Sequence, residues 1–245
     1  MTSNVFLPKP QVLEVWGDFA CFSRPELKIE RFSYPVITPS AARGIFDAIY
    51  CKPVEFVWRI TQIEILLSPQ YIALRRNEVK NKISVSEVDS WRHGKSEPEP
   101  LLADATKEML GGIDTKGRTQ RQTMALKNVR YRIHGEIRPL KEYKEKIQGL
   151  EGQFRRRALN GKCFMQPYFG CREFPAYFEL IEPQQTLSTP EDIDLDIGWM
   201  LYDVFDLSSE GNPQTKPRIS MFHAHVKKGV LLVPEYESEE VLKDA

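Results

Sequence analysis

An α+β fold of β-α-β-β-α-β order, the split βαβ or ferredoxin-like pattern, is predicted by three features of the sequence. Runs rich in β-branched and aromatic residues recur at Gln11 to Ser23, Val54 to Leu67, Thr123 to Ile137 and Cys171 to Ile181. Apolar residues at helical spacing follow the first run, and a second helix-compatible stretch precedes the last. The 245 residues are 41% hydrophobic and 28% charged, enough for one large or two modest cores, which excludes disorder, collagen and coiled coil as the main architecture.

Gln11 to Ser23 (QVLEVWGDFACFS) reads as the first strand, and Arg24 to Val36 as a turn-prone stretch. Thr38 then supplies an N-cap hydroxyl, and Pro39 suits the first helical position, where its missing N–H would have had no partner. Ala42, Ile45, Phe46 and Ile49 fall at i, i+3, i+4 and i+7, giving this helix one apolar face, and Pro53 is expected to end it. Val54 to Leu67 is the second strand. Residues 68–119 hold proline, glycine and charge, with one short helical pattern near Leu101 to Leu110, and read as a long insertion.

In the third strand, Thr123 to Ile137, side chains alternate between faces. Val129, Tyr131 and Ile133 point to one side and Arg130, Arg132 and His134 to the other, so one face packs and the other is cationic. A lysine-rich stretch after Pro139 leads into a helix over about Glu151 to Leu159, which Asn160 and Gly161 terminate. Pro175 makes the fourth strand an edge or a bulge, because proline has no N–H for the ladder. Glu182 to Asp194 reads as a linker, Ile197 to Leu207 as an apolar segment, and Ile219 to Val233 as a hairpin turning at Lys227-Lys228-Gly229. The expected domains are therefore 1–182, ferredoxin-like with its insertion, and 195–245, a small antiparallel β unit.

The formal net charge is zero, but it is a sum of opposites. From Lys116 to Lys162 there are fourteen basic residues against four acids, a net +10, so the remainder is −10; nine acids and no Lys or Arg lie between Glu179 and Glu210. Concentrated positive charge holds a phosphate backbone by releasing its condensed counterions. The bland alternative is that these bases pair with the acidic segment internally. Arg43, Arg130, Arg132, Arg155, Arg156, Arg157 and Lys162 are the candidate phosphate contacts. The three consecutive arginines are about 100° apart on a helix, so two are free to meet phosphates while one pairs with an acid.

Other classes are excluded by what is missing. The longest apolar run is four residues, far short of a membrane span, and Met1 to Lys9 has no signal-peptide apolar region. The four cysteines are dispersed with no CxxC, which suits reduced thiols in a cytoplasmic protein. No Walker A, GxGxxG, HExxH or calcium-loop motif occurs, and no cofactor or metal is expected. His223 and His225 share a strand face at a spacing compatible with metal ligation, but lack an identified third ligand and read as sheet surface. Asp192, Asp194 and Asp196 read as a solvated linker.

The segment from Trp16 to Pro53 (WGDFACFSRPELKIERFSYPVITPSAARGIFDAIYCKP) resembles the N-terminal block of CRISPR-associated proteins of the RAMP superfamily, specifically the fifth Cas family in its Dvulg (type I-C) subtype. Leu126 to Ile133 (LKNVRYRI), the arginine-rich helix with Asn160-Gly161-Lys162, and Tyr168-Phe169-Gly170-Cys171-Arg172-Glu173 agree, in the same order over nearly the whole chain. The resemblance implies a ferredoxin-like domain with a smaller C-terminal β domain. It further implies metal-independent cleavage of precursor CRISPR RNA within its repeat, retention of the mature guide RNA's 5′ handle, and assembly with other interference-complex subunits.

Such cleavage uses the substrate's 2′-hydroxyl as nucleophile, and needs a proton acceptor, a proton donor for the leaving 5′-oxygen, and cations for the developing charge. The family implies a tyrosine at the end of the first helix and a Lys-His pair ahead of the second. Tyr50, in its Tyr-x-Lys-Pro context, matches the tyrosine. The Lys-His pair is absent: the stretch reads Lys144-Glu145-Lys146 and has no histidine. Lys144 and Lys146 are the candidates for charge stabilisation or proton transfer, and His134, the one histidine near the basic surface, for acid or base work. The missing pair favours, as an alternative, a non-catalytic subunit that caps the 5′ end of the guide RNA. A ferredoxin-like enzyme acting on a small anionic substrate is a third reading.

Overall fold

The computed structural model describes residues 8–27, 29–80, 83–98, 118–182, 185, 187–207 and 218–243. In chain order the elements are β1 (Gln11–Ala20), β2 (Arg31–Phe32), α1 (Pro39–Ile49), β3 (Phe56–Ile65), β4 (Gln70–Val79), α2 (Val85–Arg92) and β5 (Arg118–Pro139). A 3-10 turn (Lys141–Lys146), α3 (Ile147–Leu159), β6 (Tyr177–Leu180), β7 (Leu195–Asp203), β8 (Ser220–Lys227), β9 (Val230–Leu232) and β10 (Val241–Lys243) complete them. The chain forms two compact units, Met1–Ile72 with Met124–Ala245, and Ala73–Thr123. It is a mixed α/β protein with one large antiparallel sheet and few helices. Among the described residues no helix is long and apolar enough to cross a membrane.

The sheet runs in the order β10-β8-β9-β3-β5-β1-β6, with β2 and β4 pairing β5 and β7 pairing β8. Register decides what each face carries. Leu13 lies opposite Ile133 and Val15 opposite Tyr131, whereas Glu14 lies opposite Arg132, which on its other flank faces Glu64. The apolar set packs under the helices. Phe46 of α1, Trp58 of β3 and Phe154 of α3 form one aromatic cluster, with ring centroids 4.6 to 5.5 Å apart. Gly135 lies on this side: a side chain there would sit 3.0 Å from the Phe46 ring, so its missing Cβ is what lets α1 approach the sheet.

Local signals explain why the elements form where they do. The Thr38 hydroxyl accepts the Ala41 amide at 3.2 Å, capping α1 at its expected start, although α1 stops at Ile49, ahead of Pro53. Asn160 caps α3 at its predicted end. The β8–β9 turn puts Lys228 at φ 47° and Gly229 at φ 72°; a Cβ on Gly229 would meet the Glu191 carbonyl at 2.2 Å, so only glycine fits. The stretch expected as a plain insertion holds β4 and α2; the half-buried face of β4 runs from Ile72 and Leu74 into Arg76 and Glu78, so no clean apolar alternation marks it as a strand. The Leu101 to Leu110 pattern lies outside the described residues. The third strand is longer than expected, the fourth is confined to Tyr177–Leu180 at the sheet edge, and the acidic C-terminal stretch contains β10.

Candidate functional site

Three different groups cap the last carbonyls of α1. The Phe164 amide donates to the Ala48 carbonyl (2.7 Å), Arg157 Nε to Ile49 (2.6 Å) and the Trp58 indole to Tyr50 (2.8 Å). These satisfy acceptors that a helix end leaves open, and they fix Tyr50 between α1, α3 and β3. Its ring is 4% exposed and packs on Phe56 at 5.3 Å. Lys52 Nζ, just outside, bonds Glu55 Oε1 (2.7 Å), and its positive charge and that of Arg157 both act on the Tyr50 hydroxyl. Burial pushes the Tyr50 hydroxyl above the ordinary tyrosine pKa, with Lys52 pulling the other way. Tyr50 is therefore protonated at neutral pH, a proton donor flanked by cations.

A groove of about 730 Å³ runs along α1 from Thr38 to Cys51. Its rim carries Phe164 (64% exposed), stacked under the Arg157 guanidinium at 4.1 Å, and Phe205 (52% exposed). Arg43 lies in this groove but is spoken for: it binds both carboxylate oxygens of Asp203 at 2.7 and 3.0 Å and Asp47 at 2.6 Å, tying α1 to the end of β7. Burial works against its charge, and Asp203 overrides that, keeping the guanidinium ionised.

His134, Arg130 and Arg132 lie on the other face of the sheet. Arg132 is 3% exposed, donating to Glu64 Oε2 at 2.6 Å and to the Ser188 carbonyl at 3.1 Å, with Glu14 Oε2 at 3.4 Å. His134 Nε2 meets Glu64 Oε1 at 2.7 Å. Burial opposes ionisation of Glu64, but His134 and Arg132 together hold its carboxyl below the usual pKa. Arg130 bonds Glu14 at 2.7 Å and covers the Trp16 ring, with nearly half its side chain exposed. The face expected to be cationic is thus an ion-pair ladder, neutralised by acids from two neighbouring strands. The sheet itself separates His134 from Tyr50, so the two do not meet at one phosphate.

The remaining candidates spread around α3 and the turn before it. Arg155 pairs with Glu182 (2.7 Å), Arg156 faces solvent with Gln153 (2.6 Å), and Arg157 turns to α1. Lys162 is exposed beyond the helix end. Lys144 and Lys146 are exposed on the 3-10 turn, whose preceding Leu140 donates to the Glu55 carbonyl (2.9 Å), beside the Lys52–Glu55 pair. Elsewhere the acidic C-terminal stretch pairs with strand arginines, Glu235 with Arg59 at 2.6 Å and Glu237 with Arg138 at 3.2 Å. Much of the charge that is polarised along the sequence is therefore neutralised in space. Lys52 and Glu55 carry no role in the sequence reading; the signal was present in Tyr50-Cys51-Lys52-Pro53, where Lys52 entered only as context.

Comparison with known proteins places these features in a lineage. The family model described as CRISPR-associated protein (Cas_Cas5), of the Cas5d type, matches residues 12–234. A curated relative from Mannheimia succiniciproducens, named CRISPR pre-crRNA endoribonuclease Cas5d, is 42% identical over 236 residues, covering 94% of this chain and 96% of the relative. One of the same name from Thermus thermophilus is 34% identical over 250 aligned positions, covering 94% of each chain. A solved structure titled Crystal Structure of CRISPR-associated Protein shares the fold, with a TM-score of 0.63 at 18% identity over 98% of this chain and all of the other.

Proposed function

The chain belongs to the Cas5d family of CRISPR-associated proteins, type I-C, and from that premise we propose that it is an endoribonuclease that cuts precursor CRISPR RNA within the repeat. The reaction is metal-independent transesterification. The 2′-oxygen forms a bond to the adjacent phosphorus as its proton passes to solvent, the bond from phosphorus to the 5′-oxygen breaks, and Tyr50 protonates that oxygen. Lys52 and Arg157 hold the charge that develops on the phosphate. The observation that carries this reading is the Tyr50 hydroxyl, protonated and flanked by two cations at the end of α1, beside a groove with exposed aromatic rims for unpaired bases.

Lys144, Lys146, Arg156 and Lys162 serve as exposed phosphate contacts, and Arg130 as one on the opposite face. Arg43, Arg132 and Arg155 act by holding structure, and His134 by anchoring Glu64. The strand order β3-β5-β1-β6 around α1 and α3 supports a ferredoxin-like core spanning 1–182, and the β7–β10 strands a small C-terminal β domain at 195–245. The processed guide RNA stays bound, and the protein works in the cytoplasm with other interference-complex subunits.

Incubation of the purified protein with repeat RNA in EDTA tests this. The expected products end in a 2′,3′-cyclic phosphate and a 5′-hydroxyl, and a 2′-deoxy substitution at the scissile nucleotide abolishes cutting. Binding without cleavage would instead make the protein a cap on the 5′ end of the guide.

A further inference from the structure

Two patterns that looked unrelated in the sequence, the alternating aspartates of the linker and the paired histidines, meet in the fold. Strands β7 and β8 are antiparallel, with Asp196 opposite His225 and Trp199 opposite His223. His223 Nδ1 lies 2.7 Å from His225 Nε2, and His225 Nδ1 lies 3.3 Å from Asp196 Oδ1. A register shift between Asp196 and Gly198 turns the carboxylate toward the rings, and the Gly198 amide donates to Asp196 Oδ1 at 3.1 Å, fixing its orientation. Among the described residues this is the one group of three potential ligands, with the three ligand atoms all within 4.8 Å of one another.

From this convergence we infer that Asp196, His223 and His225 form a surface site for a divalent transition-metal ion, of zinc-like chemistry. Two ring nitrogens 2.7 Å apart share one proton in the metal-free chain, and a cation takes its place by binding both lone pairs; since His225 offers the ion one nitrogen, Asp196 shifts from its Nδ1 contact toward the same point. Tetrahedral coordination at the usual zinc–nitrogen length separates two nitrogens by roughly 3.3 Å, so the rings need open by only about half an ångström. Both are exposed, and the His223 ring has Trp199 at its edge, itself half exposed and able to move with it. Imidazole nitrogen with one carboxylate suits zinc, copper or nickel better than magnesium or calcium, which take oxygen donors. Solvent supplies the remaining positions. Lys227, on the same strand face one step beyond His225, opposes the bound charge and keeps the site modest in affinity.

Trp199 supplies a built-in reporter, since its ring centroid is 5.7 Å from that of His223. Titration of the purified chain with Cu2+ is expected to quench Trp199 fluorescence at one equivalent, and equilibrium dialysis to find one bound Zn2+ per chain. The double variant His223→Gln/His225→Gln should lose the quenching and weaken zinc binding at least tenfold, while Asp196→Asn weakens it by a smaller factor. Metal-free melting temperatures of these exposed-site variants are expected to match the parent. If the double variant retains both the stoichiometry and the affinity, the metal sits elsewhere and the inference fails. RNA cleavage in EDTA is independent of this outcome, so either reading can fail alone.

Discussion

Tyr50→Phe is expected to lower the single-turnover rate of repeat cleavage by a factor on the order of 10² to 10⁴, the usual contribution of a positioned proton donor. The substitution removes one oxygen and leaves the rest in place. The ring still packs on Phe56, and the Trp58 indole still donates to the backbone carbonyl at position 50. Stability and RNA affinity should therefore change little, and the loss should fall on the rate. That separation distinguishes a reacting hydroxyl from a core tyrosine that serves packing alone. His134→Asn, on the far face of the sheet, provides the contrast: it should leave the cleavage rate within a few-fold. Gel-resolved single-turnover time courses with saturating protein, run beside binding curves on uncleavable RNA, give both quantities.

Arg132→Met is expected to destabilise the fold by about 3 to 5 kcal/mol, because it leaves two carboxylates without their shared counter-charge beneath the linker. The Arg132 guanidinium bridges Glu14 and Glu64 and also donates to the Ser188 carbonyl and hydroxyl. Most of the loss is the cost of two buried carboxylates left to Arg130 and His134 alone, rather than the worth of the ion pair itself. Adding Glu14→Gln and Glu64→Gln to Arg132→Met should therefore recover a substantial part of the stability. Urea unfolding midpoints with unchanged slope would read this directly. An Arg132 that served RNA binding alone would show weak affinity and normal stability instead.

These two residues also mark what the sequence could and could not reveal. The position of Tyr50 was legible because every signal for it is local: the Thr38 cap, Pro39, the apolar spacing along α1 and the Tyr-x-Lys-Pro that follows. The alternation along β5 was legible too, and Arg130, Arg132 and His134 do share a face. What that face does was not, since its neutralising acids come from strands 118 and 68 residues away in sequence. Only strand register brings Glu14, Arg132 and Glu64 into one row. The same limit hid the third ligand beside His223 and His225, because a bulge in β7 sets where Asp196 points. The helix α2 is a different case. Its capping box, Ser84 with Glu87, is a local signal that the sequence reading missed, set as it is in charged, proline-bearing surroundings.

Everything proposed for Tyr50 requires the RNA to be cut on the helix-bearing side of the sheet, at the end of α1. Site-specific photo-crosslinking tests it most directly, using repeat RNA made uncleavable by a 2′-deoxy scissile nucleotide that also carries a 4-thio base, with the adduct mapped by mass spectrometry. Adducts on the segment around Tyr50 and Lys52 or on Phe164 are the predicted result; adducts confined to Arg130, His134 and their neighbours on the opposite face would contradict it.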